Sequence, residues 1–301
     1  MYTSSFEYVR ASSLEQAATQ LAEYGDDAKA LAGGQSLIPL MKLRLSRPSA
    51  LIDLNFIPGL SGVRKHEGKI VIGAMARHTD IADSQDALEI PILHDCAAGI
   101  ADVQVRNRGT IGGSLAEADP TGDWAPVMLT LATEVHSVGP KGSRTVPLSE
   151  FFRDAYTTVL EHGELLREIT VKIPPKKSGG AYIAFKRCAP VYASASAAVQ
   201  MTLADRDTCE AAHIYLGCVG LLPVHALEAE RELHGRKVTP KLIEAAAEAA
   251  MAASDPQSDM RGSAEYKRVL VRSLTKRAIG VALRRARGEQ VEVSHEYIGR
   301  S

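Results

Sequence analysis

Two short glycine turns, far apart in the chain, hold the residue types best suited to chemistry. They are Ala32-Gly33-Gly34-Gln35-Ser36 and Thr110-Ile111-Gly112-Gly113-Ser114. Each glycine pair follows an apolar run and precedes a segment able to start a helix. Glycine lets a backbone approach a ligand closely, because no Cβ intervenes. Successive backbone N–H groups at such a turn make a concave anion site, and a helix starting there adds its positive end. Ser36, Thr110 and Ser114 add hydroxyls. Two such turns suit one diphosphate gripped from two sides. Either turn alone also reads as a structural turn. Neither is a P-loop, since no Lys-Ser/Thr follows, and neither fits G-x-G-x-x-G.

Other constellations are weaker. Glu117, Asp119 and Asp123 cluster after the second turn. Three carboxylates there suit a metal, acid–base work or the hydroxyls of a sugar; Asp123 also suits a helix N-terminus. The nine histidines are scattered without metal-ligand spacing, and no G-x-S-x-G elbow is present. Cys96, Cys188, Cys209 and Cys218 form no C-x-x-C pair and read as free thiols of a reducing compartment.

The elements that must position the turns follow from periodicity. Ser12 or Ser13 caps a helix whose Leu14, Ala17, Ala18 and Leu21 share a face, with Gly25 at its end. A strand over 29–32, a helix over 37–45 and a strand over 50–54 then give β-α-β around the first turn. A second unit starts near Gly62, with a strand over 69–73, a short helix capped by Thr79 and a helix over 91–100. The polar stretch 104–108 leads to the second turn. The stretch 121–126 opens a helix through about 132, and a hairpin over 134–148 and a strand over 165–173 follow. The stretch 174–180, Pro-Pro-Lys-Lys-Ser-Gly-Gly, is a linker. Beyond it, three strands (181–187, 194–203, 210–219) and three helices (224–234, 239–253, 264–287) make a small α+β unit. Arg268, Arg272 and Lys276 line one face of the last helix, a solvated face or a subunit contact rather than a nucleic-acid surface. A net charge of −1 exerts no pull toward nucleic acid or membrane. No run of about 18 apolar residues predicts a membrane span, and Met1 to Phe6 lacks the features of a signal peptide. The expected location is the cytoplasm.

In full context the two turns resemble the FAD-binding, or medium, subunit of molybdenum hydroxylases. The resembling stretches are 32–45, Leu51-Ile52-Asp53-Leu54, 104–115 with Ala118-Asp119-Pro120 and Asp123, and 259–266. The pattern is nearest to the medium subunit of aerobic carbon monoxide dehydrogenase, within a family that includes xanthine dehydrogenase. The resemblance implies an α+β fold of the p-cresol methylhydroxylase and xanthine dehydrogenase type. Its FAD-binding domain would span 1–175, with subdomains 1–60 and 61–175. A C-terminal domain of the carbon monoxide dehydrogenase flavoprotein type would span 181–290, with a tail at 291–301.

FAD would lie between the subdomains. Lys29, Ala30, Leu31, Ala32, Gly33, Gly34, Gln35 and Ser36 would line it from one side, and Thr110, Ile111, Gly112, Gly113 and Ser114 from the other. The amides of Gly33, Gly34, Gly112 and Gly113 would carry the diphosphate. Asp119 and Asp123 match the acidic stretch, with Asp123 on the adenosine side. Leu166 and Lys186 match further contacts, and Tyr192 resembles a tyrosine packed on the flavin. Ser114 stands where the family commonly has Asn and Glu117 where it has Asn or His, and 188–192 is atypical before the tyrosine. The resemblance implies an oxidoreductase subunit that passes electrons from [2Fe-2S] clusters of a small partner through FAD to an external acceptor. A large partner would carry the molybdenum cofactor, in a dimer of heterotrimers. No catalytic acid or base and no metal ligand is expected on this chain. A self-sufficient flavin oxidase with its own pocket, and a scaffold whose glycine turns are only structural, are the competing classes. Carbon monoxide, aldehydes, purines and N-heteroaromatics are all compatible substrates of the complex.

Overall fold

A computed structural model describes residues 2–293; Met1 and 294–301, which hold His295 and most of the expected tail, lie outside the described residues. The first sheet is parallel, in the order β1 (Glu7–Arg10), β3 (Ala50–Asp53), β2 (Ala28–Leu31). Between β1 and β2 runs α1 (Leu14–Tyr24), and α2 (Leu37–Lys42) joins β2 to β3. The capping signal of α1 works as read: Ser13 Oγ accepts the Gln16 N–H at 3.1 Å, and Gln16 Oε1 accepts the Ser12 N–H at 2.7 Å. Leu14, Ala17, Ala18 and Leu21 are buried against the sheet, and Gly25 ends the helix at φ 66°. The β-α-β around the first turn is present; β1, which adds a third strand, was not anticipated.

The second sheet is antiparallel, ordered β4-β5-β10-β6-β7. It is built from β4 (Val63–His66), β5 (Lys69–Gly73), β6 (Thr133–Gly139), β7 (Gly142–Pro147) and β10 (Leu165–Lys172). A small ribbon, β8 (Phe152–Asp154) and β9 (Thr157–Thr158), precedes β10. Five helices fill the interval between β5 and β6. They are α3 (His78–Ala82), α4 (Pro91–Gly99), α5 (Val103–Arg106), α6 (Ile111–Glu117) and α7 (Trp124–Leu129). Thr79 does not cap α3. Arg77 holds the cap position, Asp80 accepts its N–H at 2.8 Å, and the Thr79 hydroxyl donates to Asn107 instead. The polar stretch before the second turn is α5, capped by Asp102.

The third sheet, antiparallel in the order β11-β12-β13-β14, comprises β11 (Ser178–Phe185), β12 (Ala195–Leu203), β13 (Cys209–Gly217) and β14 (Val224–His225). Three helices follow: α8 (Leu227–Leu233), α9 (Pro240–Ala253) and α10 (Ala264–Ala286). β11 begins inside the stretch read as linker. Both faces of this sheet are covered. Ala181, Ile183, Ala197 and Val199 pack on α9 and α10, whereas Tyr182, Ala184 and Ala198 belong to the core around Trp124 and Ile92. That is why β11 reads as an unbroken apolar run rather than an alternation.

Two buried ion pairs cross this seam. Arg285 of α10 grips Asp95 of α4 through two bonds of 2.6 and 2.9 Å. Lys186 donates to the Gly99 carbonyl at 2.7 Å and to Asp123 at 3.2 Å. Removing one partner of such a pair strands a buried charge and costs about 3–5 kcal/mol. On α10, Arg272 and Lys276 pair with Glu244 of α9. Among the described residues, no helix is long and apolar enough to cross a membrane, and no three His, Cys, Asp or Glu side chains group as metal ligands.

Candidate functional site

The two glycine turns touch. A Cβ on Gly33 would strike the Arg108 carbonyl oxygen and lie 2.8 Å from Gly109 Cα, so only glycine allows the contact. A Cβ on Gly113 would stand 3.7 Å from Ala32 Cβ. A polar bridge fixes this meeting. Asn55 donates to the Ala32 carbonyl at 2.9 Å, and Arg77 donates both to Asn55 Oδ1 and to the Arg108 carbonyl. Where the turns meet, a cleft of about 740 Å³ opens between the first two sheets. Cofactor pockets commonly fall in the range of about 300–1,000 Å³.

The turns use their amides differently. In the second, the Ile111 N–H donates to Ala76 O at 3.2 Å and the Gly112 N–H to Ala74 O at 2.9 Å. The Gly113 N–H donates to Thr110 Oγ1 at 3.1 Å and the Ser114 N–H to Thr110 O at 3.0 Å. The expectation that Gly112 and Gly113 present free amides to an anion is therefore corrected: those donors hold α6 against the end of β5. Gly112 is glycine because a Cβ there would sit 2.6 Å from both Ala74 Cβ and Ala74 O. In the first turn, the amides of Gly33, Gly34, Gln35 and Ser36 have no protein acceptor among the described residues. Gly34 adopts φ 72°, the left-handed conformation that turns successive N–H groups toward one side. Gly33 is buried, Gly34 and Ser36 are half-buried and Gln35 is exposed; a buried backbone donor is nearly always paired, so the open Gly33 N–H on the cleft wall fits an anionic ligand.

Of the residues singled out from sequence, Ala30, Ala32, Gly33, Gly34, Gln35 and Ser36 line the cleft from the first side. Thr110, Gly112, Gly113 and Ser114 line it from the second, and Asp119, Asp123, Leu166 and Tyr192 complete the set on its wall. Lys29, Leu31, Ile111 and Lys186 do not reach the wall. Lys29 faces outward on β2, Leu31 gives its carbonyl to Leu54 N–H, Ile111 is fully buried in the core, and Lys186 is sealed beneath the cleft. Asp123 stands at the start of α7 without capping it; its carboxylate accepts from Tyr182 Oη at 2.6 Å and from Lys186. Asp119 is folded onto its own loop, accepting from the Thr121 N–H and hydroxyl at 2.8 and 2.7 Å. Burial, with Asp119 beside it, raises the Glu117 carboxyl above its usual range. The Tyr192 ring lies at the mouth, with the Arg261 guanidinium 5.6 Å from its centroid.

Sequence reasoning missed Met75, His78, Ile100, Ala101, Val105, Gly109, Tyr156, Pro190 and Val191, which also line the cleft. They arrive from separate loops and short helices, and only the tertiary fold assembles them. His78 was set aside among scattered histidines; its partner, Trp124, lies 46 residues away.

Comparison with known proteins places the chain in a family. Residues 4–175 match the FAD binding domain in molybdopterin dehydrogenase, and residues 180–282 match the CO dehydrogenase flavoprotein C-terminal domain. The 6-hydroxypseudooxynicotine dehydrogenase complex subunit alpha of Paenarthrobacter nicotinovorans is 40% identical over 97% of this chain and 99% of its own. The carbon monoxide dehydrogenase medium chain of Hydrogenophaga pseudoflava is 41% identical over 92% of this chain and 96% of its own. A crystal structure of the Cu,Mo-CO dehydrogenase superposes with a TM-score of 0.91 at 38% identity, covering 95% of this chain and 100% of that one. Two matched domains, near-complete coverage and a shared fold agree: the chain belongs to the family of FAD-binding medium subunits of molybdenum hydroxylases.

Proposed function

We propose that this chain is the FAD-carrying electron-transfer subunit of a multisubunit molybdenum hydroxylase, with the dinucleotide in the cleft between the two glycine turns. The observation that carries this reading is the set of unpaired amides at Gly33, Gly34, Gln35 and Ser36 facing a cleft that the second turn closes. When bound, FAD supplies the redox chemistry that links iron–sulfur clusters on a partner to an external acceptor.

The chain's own residues bind and orient. The first-turn amides hold the diphosphate, with the Ser36 hydroxyl beside them. The second turn contributes shape rather than donors: glycine at 112 and 113 brings α6 up to the cleft. Leu165 and Leu166 of β10 give an apolar wall that excludes water, and Tyr192 shields the mouth. Asp123 acts through the wall, its charge held by Lys186 and Tyr182. Lys29, Leu31, Ile111 and Lys186 support the site from behind.

The reading divides the chain into an FAD-binding part over 1–175, with subdomains 1–60 and 61–175, and a C-terminal part over 181–290. Its partners are a large subunit with the molybdenum cofactor and a small one with [2Fe-2S] clusters, in a dimer of heterotrimers. Four free thiols suit the cytoplasm. The test is the visible spectrum of the purified full chain, with the released cofactor identified. Stoichiometric FAD in the wild type, lost in a folded Gly33→Val variant, supports the reading. A folded chain that binds no FAD, alone or co-expressed with its partners, overturns it. Flavin reduction by a hydroxylase substrate without partners would show a self-sufficient oxidase instead.

A further inference from the structure

His78 is only 5% exposed, yet it forms part of the cleft wall. Its backbone is pinned to the second loop, the His78 N–H donating to the Gly109 carbonyl at 3.1 Å. Its Nδ1 lies 3.1 Å from Trp124 Nε1 in the core. An indole nitrogen can only donate, so Nδ1 accepts and carries no proton. The proton of the neutral ring is then on Nε2. Gly109 leaves room for that atom: a Cβ there would stand 2.6 Å from it. Nε2 has no acceptor among the described residues, and it is not among the sealed polar atoms that lack a partner. With the ring on the cleft wall and Nδ1 turned to Trp124, Nε2 is the ring nitrogen left to meet a ligand there. A directed donor, nine-tenths buried and without a protein acceptor, marks a ligand contact.

We propose that Nε2–H of His78 donates a hydrogen bond to an acceptor atom of the dinucleotide in the cleft, with the Trp124 indole fixing the tautomer that makes this possible. The inference rests on the cofactor reading above and adds a contact to it. The donor is neutral. Burial drives the His78 pKa down to about 4 against the pull of Asp123, and the positive charges of Arg77, Arg106 and Lys186 push the same way as burial. His78 thus acts as a fixed dipole, not as a cation paired with phosphate.

The experiment is an FAD titration of the flavin-stripped full chain labelled with ¹⁵N-histidine, beside the variants His78→Phe and Trp124→Phe. The Nε2–H signal of His78 is expected to shift at saturating FAD. His78→Phe should raise the Kd about tenfold, as loss of one directed hydrogen bond does. Trp124→Phe, which frees the tautomer but keeps the ring, should raise it about twofold, the cost of halving the competent form. A wild type that binds FAD with the Nε2 signal unmoved overturns this inference and leaves the cofactor reading standing. So does unchanged affinity in a folded His78→Phe. A wild type that binds no FAD overturns both. Should His78→Phe fail to fold, the wild-type ¹⁵N signal decides alone.

Discussion

The two glycine turns share a composition and a cleft but divide the work. The turn at 32–36 leaves its amides open, while the turn at 110–114 spends its amides on Ala76, Ala74 and Thr110. One faces the cleft with its amides open; the other is a joint that holds the surroundings. Glycine serves both for one reason, the missing Cβ, which admits the Arg108 carbonyl at Gly33 and Ala74 at Gly112.

The comparison breaks most visibly at the joint. Gly112→Val would press a branched side chain onto Ala74, whose atoms lie 2.6 to 2.9 Å from the new Cβ. A stability loss above about 3 kcal/mol is expected in urea unfolding, without FAD present. Wild-type stability in this variant would remove the structural role assigned to the second turn.

A pH effect of similar size tests the packing beside that joint. His78 has its pKa lowered from 6.5 to about 4 by burial. The unfolded chain therefore takes up a proton that the folded chain refuses. Stability from this group is full above pH 6.5 and is lost as pH falls toward 4, by about 3 kcal/mol. Wild type and His78→Phe, unfolded in urea at pH 7 and pH 4.5, should differ in slope by most of that amount.

At the binding surface the readout changes from stability to affinity. Gly33→Val would push the turn off the Arg108 carbonyl and is expected to weaken FAD binding at least about a hundredfold, with the circular dichroism of the chain retained. If affinity holds, the first turn is not the cradle. Thr110→Ala sharpens the contrast with the smallest effect. It removes the cap of α6 and should cost about 1 kcal/mol of stability while leaving FAD affinity within about twofold. A large affinity loss there would mean that the second turn also binds the anion.

Much of this was legible in the chain itself. The capping residue Ser13, the glycine stop at 25 and the hairpin over 134–148 depend on neighbours a few residues apart, so sequence shows them. The glycine turns were visible as turns. What was not visible is where each N–H goes, because that depends on Ala74 and Ala76, more than 30 positions upstream. β1 and β4 were missed because three of four residues in each are exposed, leaving no alternation to read. Thr79 was misassigned because Thr-Asp is a cap signal by composition, while Asn107 competes for its hydroxyl. Lys186 resembled a cofactor lysine, but Asp123 and Gly99 take its ammonium inside the protein.

The buried pairs that cross the third sheet also set an order of events during synthesis. Asp95 is made 190 residues before Arg285, and Asp123 is made 63 residues before Lys186. At translation rates of about 5–20 residues per second, Asp95 spends about 10–40 s on the ribosome without its partner. The N-terminal part is thus complete in sequence long before its charges are neutralised. Its final packing follows the emergence of α10 from the ribosome.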